Sequence, residues 1–248
     1  FNLANSSVVS GSIMAEKEMH HSSFESLMGF TPTWIQTWML TLEIARPLLH
    51  KNLLKELDGY DPIAEITKTF NKDLLSERHP LDQVQYTWIK TMLEGQILNW
   101  GGDRVDMANS MESRPPFLDH HLAELAFQLP PELRIKGNTE KYILREAVKG
   151  ILPEILYKRE KFAFMAPPAH TDETKTKLLK DLMDTYLSKE NVYNTSIFDV
   201  EKMEKFIEEY KNDKDPTSLV RKDALLNHIL GIQILHGLFV TETVKPDL

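Results

Sequence analysis

Apolar side chains recur along this chain at helical spacing, and no run alternates like a strand for more than a few residues. The longest stripe is Leu81, Val84, Trp88, Ile89, Met92, Ile97 and Trp100, with Gln85 and Gln96 on the same face. It predicts a helix over 81–100, stopped by Gly101-Gly102 and facing a core. Upstream, Trp34, Ile35, Trp38, Leu42, Ala45 and Leu49 form a second stripe. Thr31 as N-cap and Pro32 at the first helical position should start it, and Pro47 should kink or restart it. Leu53, Leu54 and Leu57 lead to a turn at Asp58-Gly59, after which Asp61-Pro62 opens a helix through Ile63, Ile66 and Phe70. Asp119 should cap a helix opening at His120, with Leu122, Leu125, Ala126 and Leu129 on one face and Pro130-Pro131 ending it.

The next helix is expected to start at Asn138 or Thr139 and to carry Leu144, Val148 and Ile151 on one side. Residues 171–187 and 199–210 read as amphipathic helices, 211–216 as a solvated linker, and 219–240 as a last helix buried around 229–238. Residues 1–30 are polar and irregular, with a short helix near 23–27. The predicted fold is mainly α.

Composition narrows the class. A length of 248 residues suits one large domain or two small ones. The net charge of −8 argues against a nonspecific nucleic-acid binder, which needs a basic face. No apolar run approaches the ~20 residues of a membrane-spanning helix, and no secretory leader opens the chain. The absence of cysteine removes disulfides, thiolate zinc sites and a Cys nucleophile together. The pairs His20-His21 and His120-His121 lack the i, i+4 spacing of helical metal ligands, so no metal site is predicted.

Candidate chemistry concentrates between Gly101 and Arg145. A Lys in a first helical turn opposes the helix dipole by about 0.3–1 kcal/mol. Helix N-termini also collect phosphate, so an anion above Lys141 would explain it. Without further context, Lys141 and Arg145 at i, i+4 are most often a solvated face.

Three linked blocks supply that context. The run Asp103-Arg104-Val105-Asp106-Met107-Ala108, followed by Glu112-Ser113-Arg114-Pro115-Pro116-Phe117-Leu118-Asp119-His120, resembles the C-terminal half of the synthetase domain of the asparagine synthase family. Lys141-Tyr142-Ile143-Leu144-Arg145-Glu146 is similar to that family's Lys-x-x-Leu-Arg-Glu block. Leu152-Pro153, Tyr157-Lys158-Arg159 and Phe164-Met165-Ala166-Pro167-Pro168 follow in the family's order.

The resemblance implies the helical C-terminal portion of an α/β adenine-nucleotide-hydrolase-like synthetase domain, of the ATP pyrophosphatase kind. It implies that ATP adenylates the side-chain carboxylate of aspartate, pyrophosphate leaves, and ammonia from glutamine attacks the aspartyl adenylate, with Mg²⁺ assisting. Lys141 matches the family's catalytic Lys at the phosphates. Arg104 and Arg145 are placed with ATP and pyrophosphate. Arg114, Glu112 and Asp119 form either a substrate contact or a structural ion pair.

Two family segments are not found: a Ser-Gly-Gly-x-Asp-Ser pyrophosphate loop and a Ser-Gly-Glu-x-x-Asp-Glu segment. Nor is there the glutaminase domain's leading Cys, and the chain opens on Phe1. The expectation is therefore that residues 1–248 are a partial synthetase domain whose partners are the glutaminase and ATP-loop portions, in a cytoplasmic enzyme, with a homodimer left open. Trp34, Trp38, Trp88 and Trp100 are the side chains expected on the face those portions would cover. Ser113 and Pro115 depart from the family pattern. The alternatives are a related amide- or lactam-forming synthetase, and a non-catalytic helical interaction module.

Overall fold

A computed structural model describes residues 18–159 and 172–241. Segment 164–168 of the family match lies outside the described residues. The described chain is mainly helical, with a single two-stranded sheet. It divides into two units. One contains residues 20–34 and 61–159; the other contains 35–60 and 172–241, with Met19.

In the first unit, short helices are fixed at their N-terminal ends. Ser22–Met28 is capped by His21, whose Nδ1 accepts the Ser23 N–H, and Gly29 closes it at φ 81°. Pro62–Lys68 starts as predicted: Asp61 Oδ1 accepts from Ile63 N at 2.9 Å and Ala64 N at 3.2 Å, with Pro62 in the first turn. Asp61 Oδ2 also accepts from His21 Nε2 at 3.0 Å, which ties the starts of these two helices together. Partial burial opposes ionisation of Asp61, yet those backbone N–H groups and His21 outweigh it and hold the carboxyl below its ordinary range. Phe24 is the centre of the core, edge-on to Trp34 and beside Phe70, and Leu75 is equally buried. Each such side chain contributes about 1.5–3 kcal/mol by leaving water.

Thr31 does not cap the following helix, which opens at Thr33 and runs as Thr33–Ala45. Its hydroxyl accepts the His21 N–H at 2.8 Å instead. Pro47 restarts the chain as a short 3₁₀ turn, Arg46–Leu48.

The 81–100 stripe is corrected by the structure. An α-helix holds only for Pro80–Trp88, and Ile89–Asp103 widens into a π-helix that continues into the α-helix Arg104–Ala108. Gly101-Gly102 therefore stops nothing. The physical reason lies in burial: no residue of 89–103 is buried, so no packing holds the tighter pitch. Gly95, Gly101 and Gly102 add backbone freedom. Trp100 is 66 % exposed, whereas Trp34, Trp38 and Trp88 are half-buried, so of the four tryptophans only Trp100 is bare.

In the second unit, Glu173–Tyr186, Lys189–Thr195, Val200–Asn212 and Pro216–Phe239 enclose one apolar core. Met183, Val192, Phe198, Met203, Leu226 and Ile229 are at its centre. Leu48 and Leu49 add an edge, with a Leu49–Phe198 bridge and a 2.9 Å bond from His50 N to Ile197 O. The segment 211–216 is exposed as predicted except at Asp213, whose side chain is tied down. Asp213 accepts from Lys222 Nζ at 2.8 Å and Ser218 Oγ at 2.5 Å, and its side chain is 13 % exposed. Next to it, Tyr210 donates to Asp223 Oδ1 at 2.5 Å, and burial with that carboxylate pushes the phenol's pKa up, keeping it a donor. The last fully buried residue of the final helix is Gln233; beyond it Leu235, Leu238 and Phe239 are exposed.

Candidate functional site

The signature segment is folded by its own polar side chains. Arg104 begins Arg104–Ala108, and its Nε donates to Asn99 Oδ1 at 3.0 Å. That helix ends through a left-handed Ser110, with Met111 N bonded back to Asp106 O at 2.8 Å. Arg114 Nε donates to Glu112 Oε1 at 2.7 Å, an exposed pair whose contribution to stability is about 0–1 kcal/mol. Asp119 takes no part in it. Its Oδ1 accepts from His121 N and Leu122 N as the cap of His120–Gln128, as the sequence predicts. The 3₁₀ turn Pro116–Leu118 between them leaves Phe117 69 % exposed, so Phe117 does not pack as a core residue.

Lys141 stands elsewhere than expected. Ile135–Lys136 pairs with Thr139–Glu140 as a two-strand hairpin, whose turn is Gly137 at φ 56° and Asn138. Asn138 and Thr139 are therefore hairpin residues rather than caps, because Gly137 supplies a tight turn that precedes any helix. The helix is Tyr142–Ala147, and Lys141 is its N-cap at φ 54° and ψ 38°. An N-cap is normally extended and is a Ser, Thr, Asp or Asn. A left-handed non-glycine residue costs about 1–2 kcal/mol. Glu77, Ser110 and Ser196 share positive φ, but each follows a helix end, where such a turn closes the last carbonyls. Lys141 begins a helix and has no such local reason.

Most of the neighbouring cations have partners; Arg159, whose side chain is exposed, has none among the described residues. Arg134 binds Asp82 and Gln85, and Lys136 Nζ donates to the Tyr142 hydroxyl at 3.1 Å over its ring. Lys149 pairs with Glu146 at 2.7 Å, which raises the amine's pKa. Arg145 donates from Nε to Glu140 O at 2.9 Å, and from Nη1 to Tyr157 O at 2.6 Å and Arg159 O at 2.9 Å. Lys141 is exposed and has no hydrogen-bond or ion-pair partner among the described residues. The structure thus brings Arg145 and Lys141 into one short module, and pairs Arg114 with Glu112. Among the described residues, no hydrogen bond or ion pair joins Arg104 or Arg114 to Lys141.

Sequence reasoning missed Arg134. Its side chain is 12 % exposed and ties the short helix Pro131–Arg134, which leads into the hairpin, to Pro80–Trp88. No local signal marks a pair separated by 52 residues.

The family model described as asparagine synthase matches residues 13–235. The chain belongs to the asparagine synthase family. That family has the adenine-nucleotide α-hydrolase-like fold, of which the described residues are a helical portion. Among curated relatives, "Amidase chyE" of Penicillium rubens is 37% identical over 161 residues, 60% of this chain and 23% of its own. "Amidase chry2" of Gibberella zeae is 42% identical over 101 residues, 38% of this chain and 15% of its own. "Asparagine synthetase [glutamine-hydrolyzing] 1" of Bacillus subtilis is 38% identical over 120 residues, 48% of this chain and 19% of its own. The chain thus spans about a fifth of the length of these relatives. No solved structure matches it.

The family is ATP-dependent and so brings Mg²⁺ into question. Among the described residues, no group of three or more His, Asp or Glu side chains is placed to hold a metal ion. Of the signature's carboxylates, Glu112 is paired with Arg114 and Asp119 caps a helix. The described residues therefore do not fit Mg²⁺ by themselves. No described helix is long and apolar enough to cross a membrane.

Proposed function

We propose that this chain carries the Lys141-bearing, C-terminal part of an ATP-dependent synthetase that converts a carboxylate to an amide. The aspartate side chain is the favoured substrate, by way of an acyl adenylate. One observation carries the reading: Lys141 holds a costly left-handed conformation at a helix start, is exposed, and has no partner among the described residues, while Arg134, Lys136, Arg145 and Lys149 around it are engaged. Such strain at an unpartnered charge marks a site kept for a ligand.

As pyrophosphate leaves, negative charge develops on the phosphate oxygens. A fixed ammonium in a water-poor site stabilises that charge by about 2.7–4 kcal/mol, or about 10²–10³ in kcat. Lys141 is assigned that role. Arg104, whose Nη groups remain available after the Nε bond to Asn99, is the second cation proposed to line the anion pocket. Arg114 is assigned to holding Glu112 and the turn that follows.

A related synthetase with another carboxylate substrate is the second reading. It is supported by two relatives named as amidases, 37% and 42% identical over the stretches they match. Ser113 and Pro115 stand where the family pattern differs, beside the Glu112–Arg114 pair. The test is pyrophosphate release from ATP by the whole protein, with ammonia and a panel of carboxylic acids. Release dependent on aspartate supports the first reading, and release with another acid alone supports the second. No release with any acid overturns both.

A further inference from the structure

The conformation of Lys141 is held on both sides by one residue. Its φ is set by the peptide plane that precedes it, whose oxygen is Glu140 O; Arg145 Nε donates to that oxygen at 2.9 Å. Its ψ is set by the plane that follows, whose oxygen is Lys141 O; the backbone N–H of Arg145 donates to that one at 3.0 Å. Arg145 itself cannot swing, because Nη1 is bonded to Tyr157 O and Arg159 O at the end of Glu154–Lys158. The guanidinium thus joins three pieces of chain: the second hairpin strand, its own helix, and the next helix's last turn. Its Nε and Nη1 hydrogens are spent on carbonyls, and their geometry fits backbone bracing rather than phosphate capture.

Resting on the reading of Lys141 as the phosphate-facing cation, we propose that Arg145 is a positioning residue. It locks the left-handed turn that presents Lys141 and does not bind phosphate itself. Loss of the Nε bond releases the Glu140–Lys141 peptide, and Lys141 relaxes toward ordinary backbone, moving its ammonium away from the anion. Misplacement by about 1 Å costs about a hundredfold in rate.

Two measurements test this. The first needs no activity: carbon chemical shifts of Lys141 in the 248-residue chain, which report backbone conformation. Wild type should show left-handed shifts and R145Q should lose them. The second is a double-mutant cycle on kcat for pyrophosphate release in the whole protein. R145Q should fall about a hundredfold with little change in KM for ATP. K141A with R145Q should be no slower than K141A alone, to within about twofold. R145K should not rescue, since one ammonium at the Tyr157 and Arg159 carbonyls cannot also reach Glu140 O; it serves as the second variant if R145Q is poorly folded. The proposal is overturned if Lys141 keeps its left-handed shifts in both Arg145 variants. It is also overturned if the losses of K141A and R145Q multiply, or if R145K restores kcat as a simple cation at the phosphates would. An inactive wild-type protein would bring down the synthetase reading, while the chemical shifts would still decide whether Arg145 holds Lys141.

Discussion

Arg134 and Asp82, 52 residues apart, form an ion pair that is mostly shielded from water and anchors the Lys141 hairpin's leading helix to Pro80–Trp88. Removing Asp82 leaves the Arg134 charge with only Gln85 as a side-chain partner among the described residues. Breaking a buried pair from one side costs about 3–5 kcal/mol. Since the Asp82 side chain is 29 % exposed, D82A should cost about 2 kcal/mol. Urea unfolding checks this, and a change under about 0.5 kcal/mol, the range of an ordinary surface substitution, would contradict it.

Acid should weaken the second unit through Asp213. Its hydrogen bond from Lys222 and those from Ser218 and the Asp215 N–H hold its carboxyl well below the ordinary carboxylate range, against partial burial. A carboxyl with a lowered folded pKa adds stability that is complete above its unfolded value of about 3.9 and is lost as pH falls toward the folded value. The stability gap between wild type and D213N should therefore be full at neutral pH and close steadily in the acid range. A gap that widens on acidification would reverse the assignment.

The legibility of these features in the sequence follows their range. Caps at Asp61 and Asp119 and the restart at Pro47 are readable because each rests on a side chain and a backbone group a few residues apart. The π-helix over 89–103 is not, since periodicity records only which faces are apolar and not whether anything packs against them. The same limit explains why the final turns of the last helix read as buried. Lys141 is found by its match to a family block. Its backbone is not, because Gly137 builds a hairpin where Asn138 and Thr139 look like caps. Arg134–Asp82 and Tyr210–Asp223 depend on tertiary proximity and leave no trace in local pattern.

Trp100, Met107, Phe117, Phe127, Ile151 and Ile155 each keep more than half their surface in water. Large exposed apolar areas promote association. The purified chain is expected to bind a hydrophobic dye and to self-associate with rising concentration in sedimentation. A strictly monomeric chain without dye binding would contradict this.

The 248-residue chain alone should not turn over. Its sequence holds no Ser-Gly-Gly-x-Asp-Ser loop for the ATP phosphates, and its described residues hold no carboxylate cluster for Mg²⁺. Pyrophosphate release from ATP, Mg²⁺, aspartate and ammonia should stay at background. Release that depends on aspartate would show that these residues suffice.

The central claim is that Lys141 is kept strained and unpartnered for a developing anion, and kcat of Lys141→Ala in the whole protein tests it most directly. A lysine on a solvated face would change stability by at most about 0.5 kcal/mol and leave the rate alone. A cation at the departing pyrophosphate is worth about 10²–10³ in rate. The account predicts an unchanged Tm with kcat for pyrophosphate release lowered by about a hundredfold or more. Retention of more than about a tenth of kcat, well short of the loss expected for a charge on the departing anion, would contradict it.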